Sequence, residues 1–188
     1  DGSVDTLFDL RDTINGAGGN DIIWGDTNEN DSAGNSFGLN SYWSGTPGND
    51  SLSGGAGNDQ LFGGGGDDVL DGGLGSDTLR GGSGIDAFIL RPGDGGASEA
   101  LADVITDFQD GTDVLALTAG LTYNDLAITQ GDGVVTPATS AVIRRTTGEF
   151  LALLSNTQIS SVNYLDFTFQ ISTPQNISGT SGDDVLIG

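Results

Sequence analysis

From Gly45 to Ile89 the sequence repeats every nine residues, five times without a gap: GTPGNDSLS, GGAGNDQLF, GGGGDDVLD, GGLGSDTLR and GGSGIDAFI. A period of this kind dictates architecture, because each copy can bury its apolar residue only against its neighbours. The fourth position is always glycine (48, 57, 66, 75, 84) and the sixth is Asp50, Asp59, Asp68, Asp77 and Asp86. The eighth is large and apolar throughout: Leu52, Leu61, Leu70, Leu79 and Phe88. Glycine admits the positive φ angles and close backbone approach of a tight turn. One apolar residue per repeat gives a very short strand a single inward side chain. Stacked copies therefore align their carboxylates into ladders.

Such a stack lacks the apolar content to hold itself together. Five leucine-class side chains are few against the entropy of ordering five repeats, and aligned like charges oppose folding further. A cation between the turns supplies the missing attraction. Its donors would be the Asp carboxylates together with turn carbonyls, for which Gly54, Ala56, Gly63, Gly65, Gly72 and Leu74 are the candidates. Oxygen-only donors in flexible geometry suit Ca²⁺; Mg²⁺ demands a tighter octahedron, and softer metals want nitrogen or sulfur. The chain has no His, Cys or Met. The expected cofactor is Ca²⁺, with at least three ions along the array, one for each pair of repeats two apart: Asp50 with Asp68, Asp59 with Asp77, Asp68 with Asp86.

The run 54–89 is four consecutive copies of G-G-x-G-x-D-x-U-x, and 45–53 matches with Thr46 in place of the second glycine. This resembles the calcium-binding nonapeptide of the RTX (repeats-in-toxin) family. The resemblance implies an all-β fold, a parallel β-roll with six residues per turn, three per strand and two repeats per coil, with Ca²⁺ between successive turns of one side. It also implies export by a type I secretion machinery and an extracellular location, secreted or at the cell surface.

Composition agrees. The chain has 24 Asp against 3 Glu, five Arg and no Lys, for a net charge of −22. A general acidic surface would mix Asp and Glu, so the bias points to short carboxylates used in turns and metal sites. So few basic residues argue against nucleic acid or an anionic membrane surface as partner. Without Cys there is no disulfide framework, and metal takes over the stapling expected outside the cell. No stretch is long and apolar enough for membrane insertion, and no signal-peptide pattern opens the chain.

Outside the array, the segment Gly16–Trp24 (GAGGNDIIW) is a weaker upstream copy with Asp21 and Ile23 in phase. Residues 178–188, SGTSGDDVLIG, reproduce 44–54 at seven of eleven positions. They read as the start of a second array, with Asp184 in the ligand column, so that the chain would be one module of a larger protein. Four segments are expected: an N-terminal cap with degenerate repeat and insertion over 1–44, the roll over 45–89, a β-rich C-terminal cap over 90–177, and a second array from 178. Within the cap, strand-like runs occur at 87–90, 103–108, 113–118, 126–130, 141–145, 150–154 and 165–171, and their alternation suggests a half-buried antiparallel sheet. The stretch ADVITDFQDGTD (102–113) resembles the D-x-I-x-D-F-x-x-G-x-D segment that follows the roll in serralysin-type proteases. There it closes the roll and contributes to a terminal calcium site, so the resemblance makes Asp103 and Asp107 candidate ligands. The alternative is that Asp103, Asp107 and Asp113 face solvent on a capping strand.

A 20-residue insertion between Trp24 and Gly45 breaks the phase. Its aromatics Phe37, Tyr42 and Trp43 would serve either as a plug over the first coil or as a carbohydrate-stacking surface. Asp26, Asn28 and Asn30 have the spacing of an EF-hand start, but Asp31 stands where glycine is needed and Phe37 where the bidentate Glu is needed. The G-x-S-x-G match at 34–38 has no His base to serve it. No catalytic constellation is present, including the H-E-x-x-H zinc helix of serralysins. The chain reads as a non-enzymatic calcium-binding module that folds outside the cell. Two alternatives stay open: an adhesion or protein- or sugar-binding module, and the non-catalytic tail of a secreted hydrolase.

Overall fold

The computed structural model describes residues 13–20, 22–25, 48–131, 133 and 137–169. Apart from three short 3-10 turns, all regular structure among these residues is strand. The strands are β1 (Thr13–Asn15), β2 (Ile22–Trp24), β3 (Ser51–Ala56), β4 (Gln60–Gly65), β5 (Val69–Leu74), β6 (Thr78–Ser83), β7 (Ala87–Leu90), β8 (Asp103–Ile105), β9 (Val114–Leu117), β10 (Leu126–Gln130), β11 (Ala141–Arg145), β12 (Phe150–Leu154) and β13 (Phe167–Phe169). They form two sheets, β1-β3-β5-β7-β9-β13 and β10-β11-β12-β8-β6-β4-β2. Consecutive strands of the array alternate between the sheets, so each 18-residue coil contributes one strand to each. This is the parallel β-roll.

The eighth position of every repeat faces inward, and the register aligns these residues into two columns. Ile14, Leu52, Leu70, Phe88, Leu115 and Phe167 stack in one sheet. Ile23, Leu61, Leu79, Ile105, Leu154 and Ala141 stack in the other. Eleven of them form one buried core cluster, and the partly buried Ile14 packs against it.

Strand pairing in the array runs six residues rather than the three that the resemblance implies, leaving turns of three. The difference lies in positions two and three of the motif. Gly55 pairs with Gly73 and Ala56 with Leu74, so coil-to-coil pairing continues around the bend. The second position tolerates only glycine: at Gly73 φ is +99° and a Cβ would stand 2.1 Å from the Gly55 carbonyl oxygen.

Two expectations change. The degenerate repeat is a coil of the roll, with β1 on β3 and β2 on β4. Ile22 pairs with Gln60, 38 residues on, whereas Gln60 and Thr78 are 18 apart; the difference is the 20-residue insertion. Gly25 follows in roll register, its N–H donating to the Phe62 carbonyl at 2.9 Å. The insertion thus begins after the three residues of β2 that pair with β4. Its aromatics and the EF-hand-like Asp26 lie outside the described residues.

The second change concerns 90–170. Only β10-β11-β12 is antiparallel. β8, β9, β12 and β13 pair in parallel and extend both roll sheets, so the segment continues the roll's core. Parallel strands buried on both faces read as apolar runs without alternation, as in Leu115–Leu117 and Leu151–Leu154, all buried. Tyr123 closes this end, edge-on to Tyr164 at 5.5 Å and to Phe167 at 5.1 Å.

Candidate metal centre

The sixth-position aspartates fall on the two edges of the roll, where the chain turns from one sheet to the other. From Asp68 onward each ladder aspartate uses one carboxylate oxygen, Oδ1, to accept the backbone N–H of the aspartate one coil earlier. On one edge Asp50 donates to Asp68 (2.8 Å), Asp68 to Asp86 (3.1 Å) and Asp86 to Asp113 (3.1 Å). On the other, Asp59 donates to Asp77 (2.8 Å) and Asp77 to Asp103 (2.9 Å). The ladders therefore contain the five repeat aspartates and extend past the array to Asp103 and Asp113. These seven carboxylates are all buried, with exposures of 0–3%.

The second oxygen, Oδ2, points across the turn. On Asp77, Asp86 and Asp103 it is buried and accepts no hydrogen bond. A carboxylate oxygen removed from water without a donor is costly unless a cation meets it. The surroundings are shaped for one. A Cβ on Gly54 would stand 2.3 Å from Asp59 Oδ2 and 2.6 Å from the Gly72 carbonyl oxygen. A Cβ on Gly63 would meet Asp68 Oδ2 at 2.3 Å and Gly81 O at 2.6 Å; one on Gly25, Asp50 Oδ2 at 2.2 Å and Gly63 O at 2.6 Å. In each turn a carboxylate oxygen and the carbonyl of a later coil converge on a space kept clear because the first position lacks a side chain. Gly54, Gly63, Gly72 and Gly81 fill that first column, a sequence signal as regular as the fourth-position glycine.

The donors are carboxylate and carbonyl oxygens only, which fits a hard cation such as Ca²⁺. Among the described residues no group of three acidic side chains could hold a metal, so carboxylates would act in pairs with carbonyls completing the shell. Of the expected carbonyls, Gly63 and Gly72 line the cradles just described. Those of Ala56 and Leu74 accept N–H groups from Gly19 (2.8 Å) and Gly57 (2.9 Å), which leaves each a second lone pair. Nothing in the geometry distinguishes the Gly54 and Gly65 carbonyls, while the Gly81 carbonyl takes part unanticipated. Asp21 and Asp184 lie outside the described residues.

The remaining carboxylates differ in their settings. Asp107, a candidate through the serralysin resemblance, has both oxygens engaged by residues of β6. Its oxygens accept from Gly81 N (3.1 Å), Gly82 N (3.1 Å) and Arg80 Nε (3.3 Å), tying the segment after β8 to β6. Asp113 ends its ladder closed, because Oδ2 accepts the Gln109 N–H at 2.8 Å. Asp94, which no motif pointed to, is buried; its Oδ1 accepts from Arg91 Nε (2.9 Å) and its Oδ2 has no donor. A further ladder runs outside the carboxylates. Asn20, Asn49, Asn58 and Asp67, at the fifth position or its equivalent, each accept a backbone N–H from the coil above.

Burial raises the carboxyls of the metal-free ladders. Asp86 is pushed up to about 7 and Asp103 to about 8, chiefly by desolvation, with repulsion from neighbouring aspartates adding to it. Burial also raises Asp77 and Asp113, and lifts Asp94 to about 6 against the opposing pull of Arg91. The site favours positive charge, proton or metal, at these oxygens.

The RTX calcium-binding nonapeptide repeat family matches in four copies, over residues 9–31, 44–79, 61–88 and 175–188. Two solved structures are similar: the R2 and R3 subunits of AlgE6, the Azotobacter vinelandii mannuronan C5-epimerase. R2 aligns at 27% identity and a TM-score of 0.54 over 86% of this chain and 94% of its own. R3 aligns at 24% identity and a TM-score of 0.53 over 89% and 93%. No curated protein matches the sequence.

Proposed function

We propose that this chain, which carries RTX calcium-binding nonapeptide repeats, is a non-catalytic module of a larger secreted protein and folds when its ladders load with Ca²⁺. The observation that carries the reading is the set of buried Oδ2 atoms without donors on Asp77, Asp86 and Asp103, the first two beside cradles that Gly72 and Gly81 leave open. Bound Ca²⁺ supplies the charge neutralisation and the coil-to-coil cross-link that the apolar columns lack.

The proposed sites follow the ladders. Asp50 with Asp68, and Asp68 with Asp86, hold ions on one edge; Asp59 with Asp77 holds one on the other, giving at least three. Where Ca²⁺ is scarce the carboxylates repel and the array stays unfolded, a state suited to passage through a type I exporter. Outside the cell, binding to the folded state alone pulls the equilibrium over. Circular dichroism against free Ca²⁺, with Mg²⁺ as control, tests this: a cooperative gain of β signal with Ca²⁺ only is expected. A full β spectrum in chelator would overturn it.

A second reading is favoured by one observation, that the similar R2 structure is a subunit of a polysaccharide-modifying enzyme. On this reading the module is the non-catalytic part of a carbohydrate-active protein. With a net charge of −22, a polyuronate would reach it only through bridging Ca²⁺. Binding of a polyuronate in Ca²⁺, abolished by salt, separates the two readings.

A further inference from the structure

Every repeat of the array opens on glycine, so whatever stands at the ninth position of the repeat before it precedes one. In the degenerate first coil that residue is Asn15, and Asn15-Gly16 is the one Asn-Gly pair in the chain. Such a pair is chemically reactive. Glycine has no Cβ to shield its nitrogen and rotates freely. Once deprotonated, that nitrogen can attack the Asn Cγ: the N–Cγ bond forms, the Cγ–NH₂ bond breaks, ammonia leaves and a succinimide ring results. Water then adds across either N–C bond of the ring. One product is aspartate; the other is isoaspartate, whose main chain runs through the side-chain carbon.

Asn15 is exposed at the end of β1, which among the described residues pairs with β3 alone. The roll nevertheless holds the reacting atoms apart. The Gly16 N–H donates to the Ser53 carbonyl at 2.9 Å, which retains its proton and fixes its peptide in strand register. Asn15 Oδ1 accepts the Ala17 N–H at 2.8 Å, which orients the amide. We infer that Asn15 is a modification site that the folded roll shields and the unfolded chain exposes, and that isoaspartate there stops the first coil from reforming. The dependence of the shield on Ca²⁺ rests on the folding proposed above. Isoaspartate inserts a main-chain carbon between residues 15 and 16, where the chain has no slack. Immediately beyond, the Ala17 carbonyl accepts the Ala56 N–H at 3.0 Å and lies 2.3 Å from where a Cβ on Gly55 would stand. Asp71-Gly72, at the same position of β5, is the contrast. It has no amide to lose, both its oxygens accept from Arg91, and β5 is paired on both sides.

The test is to age the full chain at mildly alkaline pH in Ca²⁺, in chelator, and in Ca²⁺ with denaturant, and to count aspartate and isoaspartate at position 15 by peptide mapping. Conversion in Ca²⁺ should be about tenfold or more slower than in denaturant, because the reaction waits for the edge strand to open. Equal rates in those two arms refute the shield. The chelator arm bears on Ca²⁺ separately: a rate near that in denaturant is expected, whereas the Ca²⁺ rate persisting in chelator would overturn Ca²⁺-dependent folding and leave the shield standing. Aged chains returned to Ca²⁺ test the second half. Hydrogen-exchange protection at the Ala56 amide should be lost in molecules with isoaspartate at 15 and kept in Asn15→Asp, which carries the same charge on an unaltered main chain. Protection kept in the isoaspartate molecules, or lost equally in Asn15→Asp, refutes the role given to the added main-chain carbon.

Discussion

The array over 48–90 and the segment over 103–169 build the same two sheets around the same two core columns by different means. Each array strand from β3 to β6 spends one side chain on the core, and the turns hold carboxylates and glycines. The later strands bury consecutive apolar residues on both faces, as Leu115, Ala116 and Leu117 or Ala141, Val142 and Ile143 do. On the reading proposed above, a cation joins the coils of the first half; the second joins them by apolar burial and hydrogen bonds. One continuous fold therefore contains a charge-stapled half and an oil-packed half. The parallel pairing of β6 with β8 and of β7 with β9 couples them.

Removing metal should separate the two halves most strongly. In excess chelator the amides of Leu61, Leu70 and Leu79 should lose hydrogen-exchange protection entirely, while Ile143 and Leu151 keep part of theirs or lose it in the same cooperative step. Slow exchange persisting at the three roll leucines would show that the array folds without cation, and the division drawn above would be wrong.

Substitutions sharpen the contrast at a smaller scale. Leu151→Ala, in the fully buried interior of β12, should cost about 2–5 kcal/mol in saturating Ca²⁺, read by denaturant unfolding. Gly63→Ala adds a methyl with no backbone strain, since φ there is not positive, but 2.3 Å from Asp68 Oδ2. It should raise the Ca²⁺ midpoint of folding sharply. Leu151→Ala should raise it only as far as lost stability requires. Equal midpoints for Gly63→Ala and the wild type would remove the cradle from the cation site.

The array was legible because its period exposes columns: the apolar residue, the aspartate and the turn glycine each recur every nine positions, and each does one thing in the structure. The continuation was not legible as roll, because doubly buried parallel strands have no alternation and no period, so β8, β9 and β13 resembled an ordinary antiparallel cap. Asp103 was marked by a resemblance, whereas Asp113, in the same matched segment, shows its place in the ladder only through the Asp86 N–H it accepts, and no motif marked the buried Asp94. The insertion was visible as a phase break, but that β2 before it keeps the roll register emerged only from the pairing of β2 on β4.

Proton concentration probes the charge-stapled half from the other side. Without Ca²⁺, Asp86 and Asp103 have folded values raised by burial to about 7 and about 8, above the unfolded carboxylate value of ~3.9. A raised acid favours the folded state when protonated, so metal-free stability is greatest below ~3.9 and is lost as pH rises through about 7 to 8. With Ca²⁺ bound the same carboxylates are held ionised, and the sign reverses: stability is present above ~3.9 and lost as pH falls. Residual β signal in chelator should therefore be greater at pH 5 than at pH 8.5, and the Ca²⁺ midpoint should fall as pH rises. A midpoint independent of pH would mean that protons and Ca²⁺ do not compete for the ladder oxygens.

The smallest effect belongs to the outer ladder at the fifth position, which belongs to the array yet needs no metal. Asn58 Oδ1 accepts the Ser76 N–H at 3.1 Å, and Asn58 N–H donates to Asn20 Oδ1 at 2.8 Å. These groups are exposed, so water replaces a lost partner, and Asn58→Ala should cost about 0.5–1.5 kcal/mol. Asn58→Asp should restore the bond, because Asp67 makes the same contact to Ile85 N at 2.9 Å in the turn one repeat on. Thermal melts in saturating Ca²⁺ give the comparison: Asn58→Ala lowered by a few degrees, Asn58→Asp close to wild type. Equal losses in both variants would assign the stability to the amide group itself, and the fifth column would then be irrelevant to the spacing of the coils.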